Sequence, residues 1–237
     1  LGIIIGLSFF IYQLSKSILG VSWGKFDSES ITLYSIAFFT LLITRLLQML
    51  GWSRLIYFFG LKISLSELFK NYTLSLIPRY IPGSIWGYLS RSEWLNRDYK
   101  FPYSLSHFTS IVEIYLVILS FSLFCFVYGI IYLSGFWRII MVFLLVSCLI
   151  ISWNIFVNLP KSKFLTKFIN LNDIRYKLSN NDLISFSFCV SLYFLSWLGF
   201  GLGIYFLILI FKDIEFFRFI QLTLIFGISW IGGFVIL

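Results

Sequence analysis

One carboxylate and two arginines are the residues of this sequence best placed to do chemistry in an apolar environment. Glu113 lies about eight residues, or roughly 12 Å, into a helical run that begins near Leu105. A carboxylate at that depth in a membrane is costly unless it is paired or hydrated. Arg91 is its predicted partner, because it lies about two helical turns after a break at Pro82-Gly83 and can reach the same depth. Arg79, next to the break, is freer to meet a charged ligand.

The break itself has the features of a phosphate site. The backbone N–H groups after Gly83 precede a helix that Ser84 can cap, and the start of a helix favours anions. Arg79 and Arg91 add planar forks of N–H donors, which suit the phosphate that nearly all membrane lipids carry. The alternative for either arginine is that its side chain extends to the headgroup region without binding a particular ligand.

A polar stripe runs along the helix that carries Glu113. Its members, which fall within about 100° of one helical face, are Ser106, Thr109, Ser110, Glu113 and Ser120. If the stripe faces the interior of a helix bundle, it offers a hydrophilic path for a lipid headgroup. The alternative is a buried ion pair that only fixes the packing of the helices.

The composition of the chain requires a membrane around these residues. Of 237 residues, 59% are hydrophobic and 12% are charged, whereas a soluble domain has about 25% charged residues. The apolar residues form long runs without the alternation of a β-barrel, so the sequence predicts an all-α, polytopic membrane bundle of about six spans. The predicted spans are 1–14, 31–50, 105–133, 136–157, 183–211 and 219–237.

The whole chain, 1–237, is predicted to be one transmembrane domain. It begins with Leu1 and ends inside an apolar run at Leu237, so we expect a fragment truncated at both ends. Basic residues are concentrated in the connections 51–104 and 158–182, and basic loops stay on the cytoplasmic side. This distribution predicts a multi-pass protein of the cell (inner) membrane whose visible N-terminus is cytoplasmic. The net charge of +8 then reflects topology and attraction to anionic lipids rather than binding of a nucleic acid.

The segment 64–96 is neither a span nor an ordinary loop. Ser64 and Glu67 have capping-box spacing, and the short amphipathic helix that follows is expected to stop before Pro78. A second helix is expected after Ser84. Each half has about 12 residues, or roughly 18 Å of helix, which is too short to cross about 30 Å of hydrocarbon. The segment is therefore predicted either to re-enter the membrane as a helical hairpin or to lie flat on the cytoplasmic surface.

The same segment carries a recognisable pattern. The run Arg79-Tyr80-Ile81-Pro82-Gly83-Ser84-Ile85-Trp86, followed by Arg91, resembles the pattern Lys/Arg-Tyr-Leu-Pro-Gly-x-x-Trp and Arg of the lysylphosphatidylglycerol synthase transmembrane region, a family of flippase-like integral membrane proteins. Ile111-Val112-Glu113 and the run from Trp197 to Gly201 are similar to later segments of that family. The resemblance implies that a membrane phospholipid or a lipid-linked precursor binds at Arg79, Pro82, Gly83, Ser84, Trp86, Arg91 and Glu113.

No pattern in the sequence predicts catalysis. We find no Ser/His/Asp arrangement, P-loop or metal cluster, and nothing like the soluble aminoacyl-transferase domain of the full synthases. We therefore expect no enzymatic activity, no catalytic residue, no metal and no cofactor. Cys125, Cys148 and Cys189 lie in apolar runs without ligand spacing and are predicted to be small buried side chains.

Two further predictions concern residues inside the spans. Arg45, near the cytoplasmic end of the span 31–50, is expected to extend to the membrane surface. Gly199 and Gly203 are predicted to allow close packing of two helices.

The sequence thus predicts movement of a polar-headed lipid between leaflets, or handling of a lipid-linked precursor, in contact with the lipid bilayer. The alternative is a non-transporting membrane subunit that anchors or regulates a cell-envelope biosynthetic enzyme. That alternative requires the Glu113 stripe to face other helices with no water-accessible cavity.

Overall fold

The computed structural model describes residues 27–80, 86–158 and 180–235. Within these ranges the chain is all-helical, as predicted, with seven α-helices and no strand. The helices are α1 (Ser28–Phe58), α2 (Leu65–Leu74), α3 (Trp86–Tyr99), α4 (Tyr103–Tyr132), α5 (Phe136–Asn158), α6 (Asn180–Leu209) and α7 (Arg218–Val235). A 3-10 turn, Ile77–Tyr80, lies between α2 and α3.

Three stretches of helix are long and apolar enough to cross a membrane, which is compatible with an integral membrane protein. They are Ser28–Phe58, Tyr103–Tyr132 and Ile184–Leu209. Helices α5 and α7 are apolar over shorter stretches, Phe136–Ser152 and Arg218–Gly233. The count of six spans stays a prediction, since the first predicted span, 1–14, lies outside the described residues.

Helix α1 is longer at both ends than the predicted span 31–50. Asp27 caps its start, because Asp27 Oδ1 accepts a hydrogen bond at 2.8 Å from a backbone N–H of the first turn. At the other end the helix continues through Gly51, whose open face is covered by the ring of Tyr193 from α6. The chain leaves the helix just before Gly60, which adopts a φ of +87°. The predicted start of the loop, at residue 51, therefore lies about two helical turns before the end of the helix at Phe58.

Helix α2 begins and ends as its sequence predicts. Ser64 Oγ accepts a hydrogen bond from the backbone N–H of Glu67 at 3.3 Å and donates one to Glu67 Oε2 at 2.8 Å. The helix stops at Leu74, ahead of Pro78. Its buried face carries Tyr72 and points toward the bundle.

A tight turn folds α3 back along α4. Lys100 adopts a φ of +55°, and its N–H bonds to the carbonyl of Asn96 at 3.0 Å, as in an αL C-cap. The two helices then run antiparallel, with Ser92 Oγ 3.0 Å from the carbonyl oxygen of Ser106. Helix α3 therefore lies along the first half of α4.

Helices α1 and α6 form the most extensive contact of the bundle. A Cβ added at Gly199 would collide with Thr44, and one added at Gly203 would collide with Leu41. The predicted role of these two glycines in close helix packing is thereby confirmed. Helix α5 packs on α4 and leaves most of its large apolar side chains exposed, as expected for a helix that faces lipid.

Candidate functional site

Arg91 of α3 and Glu113 of α4 form a buried ion pair. Arg91 Nη1 donates a hydrogen bond to Glu113 Oε1 at 3.0 Å, and Arg91 Nη2 lies 2.6 Å from Glu113 Oε2. The second contact is close, but its direction does not satisfy hydrogen-bond geometry, so the pair combines one hydrogen bond with a charge contact. The two side chains are 0% and 1% exposed. The predicted pairing is confirmed, and it accounts for a carboxylate about 15 Å into α4.

Three aromatic rings surround the guanidinium of Arg91. Its Cζ atom lies 5.0 Å from the ring centroid of Trp52, 4.8 Å from that of Tyr72 and 4.8 Å from that of Tyr88. A ring face attracts a cation, by about 2 kcal/mol or more where water is excluded. The three rings belong to α1, α2 and α3. This aromatic cage of three rings therefore connects both halves of the segment 64–96 to the first long helix.

The polar stripe on α4 faces the interior of the bundle, and all five of its members are buried. The hydroxyls of Ser106 and Thr109 bond to carbonyls of α4 itself, and two further hydroxyls contact neighbouring helices. Ser110 Oγ lies 3.1 Å from Ser92 Oγ of α3, and Ser120 Oγ accepts a hydrogen bond from the indole N–H of Trp197 of α6 at 3.2 Å. The stripe thus contributes to packing, and its Glu113 also borders a cavity.

That cavity lies between the helices beside Glu113. Its polar side is formed by Arg45, Gln48, Tyr72, Tyr88 and Glu113, and its aromatic wall by Trp197, Phe200, Phe226 and Trp230. The centres of water molecules can occupy about 40 Å³ of it, which is room for roughly three waters at about 10–15 Å³ each. The cavity can hold a small polar group, and it must widen to admit a complete lipid headgroup.

Arg45 lines this cavity instead of extending to the membrane surface. Its guanidinium carbon lies 4.8 Å over the ring of Phe200, and its Nη1 donates a hydrogen bond to Gln48 Oε1 at 3.1 Å. The surface prediction is wrong because α1 continues to Phe58 and places Arg45 in the middle of the helix. The signal that could have found this site is the spacing of Arg45 and Gln48, which puts two polar side chains on one face of an apolar helix.

Several buried polar atoms close to the ion pair have no hydrogen-bond partner within the described part of the chain. They are Trp52 Nε1, Arg91 Nε and Tyr193 Oη. Tyr193 interacts electrostatically with both Glu113 and Arg91. Native structures leave few buried polar groups unpaired. The region around the pair therefore has unused hydrogen-bonding capacity.

Of the other predicted site residues, Trp86 is the one whose side chain the structure describes. It stands at the start of α3, is 47% exposed and is not part of the cavity lining. Only the backbone of Arg79 is described, within the 3-10 turn. Pro82-Gly83 and Ser84 lie outside the described residues. Their roles in binding a lipid stay predictions.

A wider, polar cleft separates α2 from α3, with about 710 Å³ available to the centres of water molecules. Glu67 and Tyr99 lie on its two sides. Hydrogen bonds from Ser64 and Tyr99 lower the pKa of Glu67. Desolvation, together with the hydrogen bond to Glu67, raises the pKa of Tyr99 to about 12. This contact joins the beginning of α2 to the end of α3.

The described residues contain no cluster of three or more His, Cys, Asp or Glu side chains that could hold a metal. The three cysteines are free, and Cys189 is buried as predicted, whereas Cys125 and Cys148 are half-buried. No family model, curated protein or solved structure matches the chain. The site is therefore interpreted from its own geometry.

Proposed function

We propose that this integral membrane protein moves a polar-headed phospholipid between leaflets, or handles a lipid-linked precursor, as its resemblance to the flippase-like family implies. One observation carries the proposal: the buried Arg91–Glu113 pair borders a polar cavity inside a bundle of long apolar helices. Ionisable side chains within a membrane are rare and mark the pathways of substrates and ions. Packing alone does not require them, because apolar side chains of similar volume stabilise a buried site as well or better.

Re-entry of the segment 64–96 into the membrane is part of this proposal. Helix α3 lies along the first half of α4, and Arg91 meets Glu113 about 15 Å into a helix that is long enough to span. A partner at that depth favours a hairpin that dips beside α4 over two helices flat on the surface. The proposed location is the inner membrane, with the basic connections and the visible N-terminus on the cytoplasmic side.

The geometry suggests how such a protein lowers the cost of moving a headgroup. A charged group in hydrocarbon is strongly disfavoured, and the cavity offers charged and hydrogen-bonding side chains in its place. The aromatic cage holds Arg91 while Glu113 borders the cavity. Widening of the cavity is the step that admits a headgroup.

A second function is favoured by one observation. The stripe hydroxyls are bonded within the bundle, as expected for a non-transporting subunit that anchors or regulates a cell-envelope biosynthetic enzyme. That alternative also requires that no water-accessible cavity borders Glu113, whereas Glu113 lines the cavity described above. Transport is therefore the better-supported proposal.

Reconstitution of the full chain into vesicles with a fluorescent phospholipid tests the proposal. A quencher added outside bleaches only the outer leaflet unless the protein moves lipid between leaflets. We expect the wild-type chain to expose both leaflets, and Glu113→Gln to slow the movement by about tenfold or more, because Arg91 loses its buried partner. The matched control is Arg97→Gln, which breaks the exposed pair with Asp98 and should leave the rate unchanged. Absence of movement with the folded wild-type chain would favour the anchoring subunit.

A further inference from the structure

Arg45 brings a second positive charge to the cavity beside Glu113. At about 1.5 Å per residue it lies roughly 26 Å from the start of α1 and roughly 20 Å from its end. Its contacts with Phe200 and Gln48 hold the guanidinium within the bundle at the level of the cavity. An arginine in the middle of a long apolar helix marks a ligand or ion pathway.

The balance of charge around the cavity favours an anionic ligand. Among the described residues, Arg45 and Arg91 are positive and Glu113 is negative, and Arg91 already contacts both carboxylate oxygens of Glu113. A cationic ligand would meet Arg45 as a like charge, which is unfavourable at low dielectric. The aromatic wall at Trp197 and Trp230 can attract a quaternary amine, but the charge of Arg45 opposes such a ligand.

We propose that Arg45 and Gln48 form a phosphate-binding part of the cavity and that its ligand is the phosphodiester of a lipid headgroup. This inference rests on the proposed function and narrows its substrate class. A phosphodiester carries a single negative charge, which complements the excess positive charge of the cavity. The fork of guanidinium N–H groups suits phosphate oxygens. The amide N–H groups of Gln48 are further donors, because its Oε1 accepts the bond from Arg45.

The position of the cavity favours a lipid as the source of the phosphate. The lining residues come from α1, α4, α6 and α7 as well as from the segment 64–96, so the cavity lies among the long apolar helices. Its volume suits a small polar group, so the acyl chains of the lipid have to leave between the helices. Free inorganic phosphate has the same chemistry and lacks this apolar attachment.

Binding to the full chain, purified in a neutral detergent, tests the inference. The probes are a radiolabelled short-chain phosphatidylglycerol, inorganic phosphate and a single-chain trimethylammonium amphiphile. Arg45→Gln should weaken binding of the phosphatidylglycerol by at least about tenfold. Arg45→Lys should have an intermediate effect, because it keeps the charge and loses the planar fork. The matched control is Arg54→Gln, since Arg54 lies on the same helix over Phe188, at 5.3 Å, and outside the cavity lining.

The outcomes separate the alternatives. Phosphatidylglycerol binding that depends on Arg45, with weak binding of inorganic phosphate, supports a lipid ligand. Equal, Arg45-dependent binding of inorganic phosphate supports the phosphate site and assigns it to the free ion. Affinity for phosphatidylglycerol that is unchanged in folded Arg45→Gln overturns the inference, as does wild-type binding of the trimethylammonium amphiphile that is tighter than binding of phosphatidylglycerol. If Arg45→Gln does not fold, Gln48→Glu decides, because a carboxylate of the same shape should repel phosphate and weaken binding.

The same variants distinguish this inference from the proposed function. Lipid movement that Glu113→Gln abolishes and Arg45→Gln leaves intact would keep the proposed function and overturn the phosphate site. Arg45-dependent binding of phosphatidylglycerol without any lipid movement would keep the phosphate site and overturn transport.

Discussion

Tyr72 connects Arg91 to Gln48: its ring centroid lies 4.8 Å from the guanidinium carbon of Arg91, and its hydroxyl lies 3.5 Å from Gln48 Oε1. The side chain of Tyr72 is 3% exposed. Through this residue α2 contacts both charged centres of the cavity, the Arg91–Glu113 pair and the pair of Arg45 with Gln48. A half-length helix is thereby bound to the long helices through its buried face.

Replacement of Tyr72 should separate the contribution of its ring from that of its hydroxyl. Tyr72→Phe removes a long hydrogen bond and should cost less than about 1 kcal/mol of unfolding free energy. Tyr72→Leu also removes a ring face from Arg91 and should cost about 2 kcal/mol or more. Unfolding in a series of detergent mixtures measures both. The control is Phe69→Leu on the exposed side of α2, and equal losses for the two Tyr72 variants would contradict the role of the ring.

Gly199 should not accept a larger side chain, because a Cβ there collides with Thr44 of α1. Gly199→Ala is expected to lower the unfolding free energy by about 1–3 kcal/mol through overpacking. Thr44→Ala in the same chain should restore part of the loss by removing the colliding hydroxyl. Gly232→Ala is the control, since nothing lies within 4 Å of an added Cβ there, and it should be neutral or slightly stabilising. Thermal melting that is the same for Gly199→Ala and Gly232→Ala would refute the close contact of α1 with α6.

The contact between Glu67 and Tyr99 should weaken in alkali. The pKa of Tyr99, about 12 in the folded chain, exceeds its ordinary value of 10.0. Its contribution to stability is therefore fully present below pH 10 and is lost as the pH rises from about 10 to 12. Difference absorbance between the wild-type chain and Tyr99→Phe measures the titration of this one phenol. Glu67→Gln should move the midpoint toward 10.0, and a midpoint already at 10.0 in the wild-type chain would argue against the contact.

The ion pair of Arg91 with Glu113 could be predicted from the position of each residue along its own helix. Both residues are a similar distance from the turn that joins α3 to α4, so helical rise brings them to one level. Helical periodicity likewise predicts that the stripe residues share one face of α4.

Other parts of the site depend on information that local sequence does not contain. The apolar run 31–50 predicts a helix that ends soon after Arg45, whereas the aromatic residues beyond that run extend α1 to Phe58 and leave Arg45 in the middle of the helix. The cage of Trp52, Tyr72 and Tyr88 requires three helices to converge on one guanidinium. No spacing within any one helix encodes that convergence.

The central claim is that Arg91 and Glu113 are a direct, buried pair on which the site depends, and a double-mutant cycle on unfolding free energy tests it most directly. Glu113→Gln and Arg91→Gln should each cost about 3–5 kcal/mol, because each leaves a buried charged or polar partner uncompensated. The exchanged protein, Glu113→Arg with Arg91→Glu, should be more stable than either Glu113→Arg or Arg91→Glu alone. The same exchange in the exposed pair of Arg97 with Asp98 should show no coupling. Additive losses at Arg91 and Glu113, with no recovery in the exchanged protein, would contradict the account.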